Sequence, residues 1–202
     1  GMSHYPALRW DAGEARFVVD PATPINAPAQ AWHSDFATRA RAAGFEIILS
    51  LSFELFDAFA PIDWKQRDAA GNPALTGWSP PSTLLSPANS AAMAYLGTVA
   101  QALMAIAIAA GQPPRFQIGE PWWWVGSNDA LCAYDAATVA AFTTETGLPL
   151  PAAISDVRDA LTVAQRDYLD WLGLMLGRAT LALRDAARAA ASGAEVLLLF
   201  YA

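Results

Sequence analysis

The stretch Arg115-Phe-Gln-Ile-Gly-Glu-Pro-Trp-Trp-Trp-Val125 decides the fold prediction for this 202-residue chain. Apolar and polar residues alternate over its first half, the period of two that is typical of a β-strand. Pro121 cannot continue a central strand, so the strand is predicted to stop at Glu120. Glu120 would then face a loop that consists of Trp122–Trp124. In parallel α/β folds, this end of the strands carries the active site.

A carboxylate beside three tryptophans suits carbohydrate chemistry, because the acid moves protons while indole rings stack on the apolar faces of a sugar. Glu120 is the predicted general acid/base. Glu54 and Asp20, both at predicted strand ends, are the candidates for the second carboxylate that a glycosidase needs. In the alternative interpretation, these two acids form salt bridges or loop caps, and the tryptophans plug one end of a sheet. The predicted substrate-binding residues are all aromatic: Trp122, Trp123, Trp124, Trp78 and Trp64.

Composition and charge narrow the class of protein. Hydrophobic residues make up 54% of the chain and charged residues 15%, which is a globular composition. The formal net charge is −7 and the isoelectric point is about 4.6. An acidic surface argues against a nucleic-acid partner and against an anionic membrane, because both require basic residues.

The sequence contains no metal or cofactor motif. Cys132 is the only cysteine, so the chain can form no internal disulfide. His4 and His33 lack metal-ligand spacing, and no phosphate-binding glycine motif is present. We therefore expect no metal and no cofactor. We see neither a signal peptide nor a segment apolar enough to span a membrane, and the localisation stays open.

Strand and helix patterns alternate along the chain. Residues 29–43 form a predicted helix with Trp32, Phe36 and Ala40 on one stripe. The long loop over residues 57–89 contains Trp64 and Trp78, which favours an ordered, functional loop. The remaining predicted strands are 16–20, 45–53, 115–120 and 195–201, and the remaining predicted helices are 90–110, 135–146 and 162–191.

This order predicts the α/β class with parallel strands and right-handed crossovers. We predict a TIM-barrel-like (β/α) fold with about four to five parallel strands. A full eight-stranded barrel needs about 250 residues. Residues 1–202 are therefore predicted to be one partial barrel, either part of a longer chain or completed by oligomerisation.

The order of elements resembles the front part of retaining glycoside hydrolases with a (β/α)8 barrel, the clan that includes the family 42 β-galactosidases. In that clan, the fourth strand ends in Asn-Glu and the Glu is the acid/base, a place that Gly119-Glu120 occupies here. The loop with Asp68 and Gly77-Trp78 and the segment from Cys132 to Gly147 are also similar. The clan's Asn is Gly119 in this chain, and its nucleophile on the seventh strand has no counterpart.

Three functional hypotheses follow from these observations. The first is a glycoside hydrolase, or a domain derived from one, with Glu120 as the acid/base. The second is a non-catalytic carbohydrate-binding module of a larger surface or phage-tail-type assembly, favoured by the missing Asn and the missing nucleophile. The third is a purely structural half-barrel whose tryptophans pack against the rest of a longer chain or a partner subunit.

Overall fold

The computed structural model describes residues 5–199, so the predicted roles of His4 and of strand residues 200 and 201 lie outside the described part. The described chain is α/β. Its strands are β1 (Leu8–Asp11), β2 (Arg16–Val19), β3 (Leu49–Ser52), β4 (Glu54–Phe56), β5 (Ser82–Leu84), β6 (Arg115–Gly119), β7 (Trp124–Val125), β8 (Leu131–Cys132) and β9 (Glu195–Leu199). Its helices are α1 (Ala27–Ala42), α2 (Ser90–Ala109), α3 (Ala136–Thr146) and α4 (Val163–Ala190).

The chain divides into two compact units. The first contains the described residues up to Phe53, Ala94–Pro121, and those from Thr180 onward. The second contains Glu54–Met93 and Trp122–Ala179.

The first unit contains a parallel sheet of three strands in the order β3-β6-β9. The central strand β6 is the most deeply buried, because Phe116 and Ile118 are almost fully enclosed. β9 is an edge strand in the described part of the chain, and Leu198 on it is half exposed. Among residues 5–199 the sheet does not close into a barrel.

The predicted number of parallel strands, four to five, is wrong for the described residues, which contain three. The strand predicted at 16–20 forms as β2, but its partner is β1 in an antiparallel hairpin. One further strand before Arg16 was allowed in the predicted number, but no range was predicted for β1, because its exposed residues lack a buried apolar run. The strand predicted at 45–53 is reduced to β3, and Phe45 and Ile48 before it are exposed.

Helix α1 begins with an Asn26 cap, whose side chain accepts a hydrogen bond from the Ala29 amide at 2.8 Å. Its buried residues are Ala29, His33 and Ala37. Trp32 and Phe36 each precede one of these buried residues in the sequence, and their own side chains are exposed to solvent. Small side chains let this helix pack closely, which leaves the large rings outside.

The second unit contains two antiparallel strand pairs, β4-β5 and β7-β8. The loop predicted at 57–89 is ordered and contains β5, a single 3-10 turn (Ile62–Trp64) and three isolated bridges. Buried Lys65 is neutralised there by Asp57, with a 2.7 Å separation between Nζ and Oδ1. A buried charge with a partner avoids a large desolvation cost, so this ion pair helps to hold the loop in place.

Helices α3 and α4 supply the core of the second unit. Asp135 caps α3 by accepting from the Thr138 amide, and Gly147 ends the helix in the left-handed conformation (φ 68°) that favours glycine. Phe142 on α3 packs edge-on against Tyr168 and Trp171 of α4, with ring centroids 4.8 and 5.3 Å apart. Tyr168, Trp171 and Leu172 of α4 thus belong to the buried core of this unit.

Helix α2 is the one described helix that is long and apolar enough to cross a membrane by length and composition, although no such span was predicted. Half of its apolar window is buried inside the protein. A core helix meets the same criterion, and Gly97 shows how closely this one packs, because a Cβ there would lie 3.4 Å from the Ala186 side chain.

Candidate functional site

Glu120 follows β6 directly, as the sequence predicts, and is partly buried. Its backbone has a positive φ of 53°, a conformation that residues other than glycine rarely adopt. Its carboxylate forms no hydrogen bond or ion pair with residues 5–199. The structure therefore places an acid at the predicted strand end, with a strained backbone but without a partner that would orient it for proton transfer.

The residue before Glu120 lies close against the neighbouring strand. A Cβ at Gly119 would lie 3.3 Å from Ser50 Oγ and 3.7 Å from the carbonyl oxygen of Leu51. An asparagine at this position, as in the glycosidase clan, would need the Ser50 side chain to move. Glycine at this position therefore fits the close packing of β6 on β3.

The tryptophan loop is fixed by a residue that the sequence analysis missed. Gln66 is fully buried, and its Nε2 donates to the carbonyl oxygens of Leu85 and Trp122 at 3.1 and 3.0 Å. Its Oε1 accepts from the Trp124 amide at 2.8 Å. One side-chain amide thus satisfies three backbone groups and holds both ends of the Trp122–Trp124 loop. No sequence signal marked Gln66, which lies in a polar run within a long loop.

The middle tryptophan of the loop belongs to the core of the second unit. Trp123 packs against the cluster that contains Phe142 and Trp171, and its indole Nε1 donates to the Leu172 carbonyl oxygen at 3.0 Å. An indole that is held by such a hydrogen bond contributes to the core of the unit. The observation favours the alternative in which the tryptophans plug the fold over the one in which they form a sugar platform.

The other predicted aromatic residues differ in exposure and in the elements that carry them. Trp64 is buried in the 3-10 turn, whereas Trp78 is 55% exposed on the loop before β5. Trp124 pairs with Cys132 in the β7-β8 hairpin. Burial raises the pKa of the Cys132 thiol to about 11, which keeps it protonated and unreactive.

The two candidates for the second carboxylate, Asp20 and Glu54, lie in a loop and in a strand, respectively. Asp20 lies just after β2, and its Oδ1 accepts from the Ala22 amide at 3.0 Å, as a loop cap does. Glu54 is the first residue of β4, where it pairs with Leu84 in an antiparallel ladder. Glu54 therefore belongs to a second strand rather than to the carboxyl end of β3. The predicted catalytic roles of Asp20, Glu54 and Glu120 stay predictions.

Two buried acids that the sequence analysis did not single out as site residues have structural roles. Asp68 accepts hydrogen bonds from the Ala70 amide, the Asn72 amide and the Asn72 side chain at 2.8 to 3.0 Å. Burial alone would raise the pKa of Asp68, but hydrogen bonds from Asn72 and Asn128 lower it below its ordinary value. This acid stays charged and closes a turn that contains Gly71 and Asn72.

The second of these acids is Asp135, which belongs to a buried hydroxyl network. Its Oδ2 accepts from Thr138 Oγ1 at 2.7 Å, and that hydroxyl lies 3.1 Å from Ser86 Oγ. Burial raises the pKa of Asp135 above its ordinary value, since no basic side chain forms an ion pair with it in the described chain. Within residues 5–199, no cluster of three His, Cys, Asp or Glu residues could hold a metal ion.

Comparison with known proteins identifies the family. The family model described as the TIM barrel of the non-contractile tail sheath protein matches residues 1–202, which is the whole chain. The chain therefore belongs to the family of non-contractile tail sheath protein TIM barrels. No curated protein and no solved structure matches it.

This finding corrects the resemblance to family 42 glycoside hydrolases, which is wrong, together with the hydrolase and carbohydrate-binding functions that it implied. The error has a physical cause: a parallel strand that ends in a carboxylate belongs to the barrel architecture and does not by itself specify chemistry. The TIM-barrel assignment is confirmed at the level of the family, with an open three-stranded parallel sheet in the described residues.

Proposed function

We propose that this chain is a structural, non-catalytic domain of the sheath of a non-contractile tail, where it contacts other subunits. The observation that carries the proposal is the match of the tail sheath family along all 202 residues. A sheath subunit works by forming repeated contacts with its neighbours, and a barrel scaffold suits that role because it presents rigid surfaces.

The surroundings of the tryptophan loop support a structural role. Gln66 donates two hydrogen bonds and accepts one, two of which hold the loop, and Trp123 donates into the core of the second unit. The Glu120 carboxylate hydrogen-bonds to none of residues 5–199, so no described side chain orients it for proton transfer. The hydrogen bonds of Gln66 and Trp123 stabilise the fold, which supports the structural role.

The open sheet supports a second part of the proposal. A barrel of this class has eight strands, and β9 presents the half-exposed Leu198 and its partly buried apolar neighbours at the sheet edge. We propose that further strands complete the barrel and that they come from the rest of a longer polypeptide or from another subunit. Pairing would satisfy the edge hydrogen-bonding groups and cover these side chains.

The test is concentration-dependent assembly of the purified full chain. Light scattering after size exclusion, from about 10 µM to about 1 mM, covers the range of weak to moderate contacts, and negative-stain electron microscopy shows the form of the assemblies. We expect the mass to rise with concentration, and we expect Glu120→Gln to assemble as the wild type does. A strictly monomeric chain, or glycoside hydrolysis that is lost in Glu120→Gln, would overturn the proposal.

A further inference from the structure

The β1-β2 hairpin carries an exposed aromatic pair. Trp10 and Phe17 lie directly opposite each other in the ladder, with ring centroids 5.4 Å apart and an edge-to-face angle of 77°. They are 56% and 53% exposed, and Leu8, two residues before Trp10 on the same face, is 40% exposed. We call Leu8, Trp10 and Phe17 the hairpin patch.

Helix α1 carries a second exposed pair. Trp32 and Phe36 lie one helical turn apart and stack almost parallel, with centroids 5.2 Å apart and planes inclined by 8°. They are 51% and 44% exposed, whereas the same helix buries Ala29 and Ala37. We call Trp32 and Phe36 the α1 patch. The helix buries its small residues and presents its largest ones to solvent.

Both patches have the composition of an interface centre. Aromatic residues concentrate in interface cores and in binding hot spots, surrounded by polar rims. Ion pairs of Arg9 with Asp11 and of Arg16 with Glu14 flank the hairpin patch. An ion pair of Arg39 with Asp35 flanks the α1 patch. No ring of one patch contacts a ring of the other in the described chain, and each patch belongs to a different secondary-structure element of the first unit.

The distribution of charge favours a second copy of this chain as the occupant. The whole chain carries −7, so two copies repel each other over most of their surfaces. Leu8–Val19 carries two arginines and two acids and is neutral, and α1 carries two arginines and one aspartate, a net charge of +1. These two segments therefore escape the repulsion, and α1 is complementary to an otherwise negative neighbour.

We infer, resting on the sheath function proposed above, that the hairpin patch of one copy packs against the α1 patch of the next. A contact between two different patches is heterologous, and repeated heterologous contacts generate rings or open helical arrays, as a sheath requires. Each half-exposed ring offers roughly 75–125 Å². Four rings supply about 300–500 Å², a suitable apolar centre for an interface of about 1,600 Å² in total.

The test uses two double variants of the full chain. The hairpin variant is Trp10→Ala/Phe17→Ala, and the α1 variant is Trp32→Ala/Phe36→Ala. Phe17→Lys and Phe36→Lys serve as second variants, because they oppose association with little change in the exposed backbone. Trp78→Ala, at a similarly exposed tryptophan outside both patches, is the matched control. Circular dichroism and thermal melting establish that each variant is folded.

Sedimentation velocity then separates the possibilities. Each double variant alone should be monomeric, with the dissociation constant raised about 30-fold or more. An equimolar mixture of the two should form dimers that do not grow further, because each copy retains one intact patch. Trp78→Ala should assemble as the wild type does.

Three results would overturn the inference. If the wild type assembles and both variants assemble equally well, the sheath proposal stands and these patches are not its interface. If one double variant still forms dimers by itself, the contact joins two identical patches. If the wild type is monomeric at every concentration, the proposed function fails together with this inference.

Discussion

Replacing Gln66 with methionine removes three hydrogen bonds from the second unit and keeps the volume of the side chain almost unchanged. The carbonyl oxygens of Leu85 and Trp122 and the amide of Trp124 then lose their partner. At about 1 kcal/mol for each bond, the loss is about 3 kcal/mol, and it approaches 6 kcal/mol if the abandoned groups stay dry. For a chain of this length, 3 kcal/mol lowers the melting temperature by about 6–12 °C.

Thermal and urea unfolding of Gln66→Met measure this loss directly. Amide exchange at Trp124 reports on the loop itself, because its N–H donates to Gln66 in the wild type. Gln101→Met is the matched control, since Gln101 is an exposed glutamine on α2 and its replacement should change stability by less than about 0.5 kcal/mol.

Gln66→Glu adds a test of direction. A glutamate carboxylate accepts but does not donate, so it would face the carbonyl oxygens of Leu85 and Trp122 with no proton between them. The variant should be less stable than Gln66→Met at neutral pH and should regain stability as the pH falls and the carboxyl is protonated. A Gln66→Met melting temperature within about 2 °C of the wild type, with unchanged exchange at Trp124, would refute the conclusion that Gln66 holds the tryptophan loop.

Three further predictions follow from single side chains. Burial raises the pKa of Asp135, so its contribution to stability is complete below the unfolded-state pKa and is lost as the pH rises through the folded-state pKa. Asp135→Asn should therefore make the urea midpoint less dependent on pH. An unchanged dependence of the midpoint on pH would contradict this. Trp123→Phe keeps a ring but removes the indole donor from the Leu172 carbonyl oxygen, which lies in the middle of α4 and keeps its helical partner, so it should cost about 0.5–1.5 kcal/mol in urea unfolding, whereas an unaltered midpoint would show that the bond is dispensable. At the positive φ of Glu120, Glu120→Gly should leave the melting temperature equal or higher, while Glu120→Val should lower stability by about 1–2 kcal/mol; equal effects of the two would argue against backbone strain.

Local signals in the sequence were strong at the helices. α2, α3 and α4 lie within one or two residues of their predicted limits, because Asp135, Gly111 and Gly147 act on the backbone next to them. The end of β6 before Pro121 was equally predictable, since proline lacks the amide that a central strand requires. In each case the cause and the effect are neighbours in the chain.

Partners distant in the sequence were not predictable. β2 has the composition of a barrel strand, whose parallel partners lie far along the chain, yet it pairs with the preceding strand β1, and the choice depends on which ladder is available in space. The α1 stripe was assigned correctly as a stripe, but its exposure depends on whether a neighbour accepts Trp32 or the smaller Ala37. Gln66 holds a loop 56 to 58 positions away, a distance over which no sequence period extends.

The sequence by itself determined the α/β class, the TIM-barrel-like assignment, the helices, and the strand that ends before Glu120. Only the tertiary structure decided the use of the tryptophans, because an indole suits a sugar, a core or a subunit contact equally well. Trp123 donates a hydrogen bond into the core of its own unit, whereas Trp10 and Trp32 remain outside, available to a neighbour. The physical reason is that side-chain chemistry is set by residue type, while burial and hydrogen-bond partners are set by packing among residues far apart in the chain.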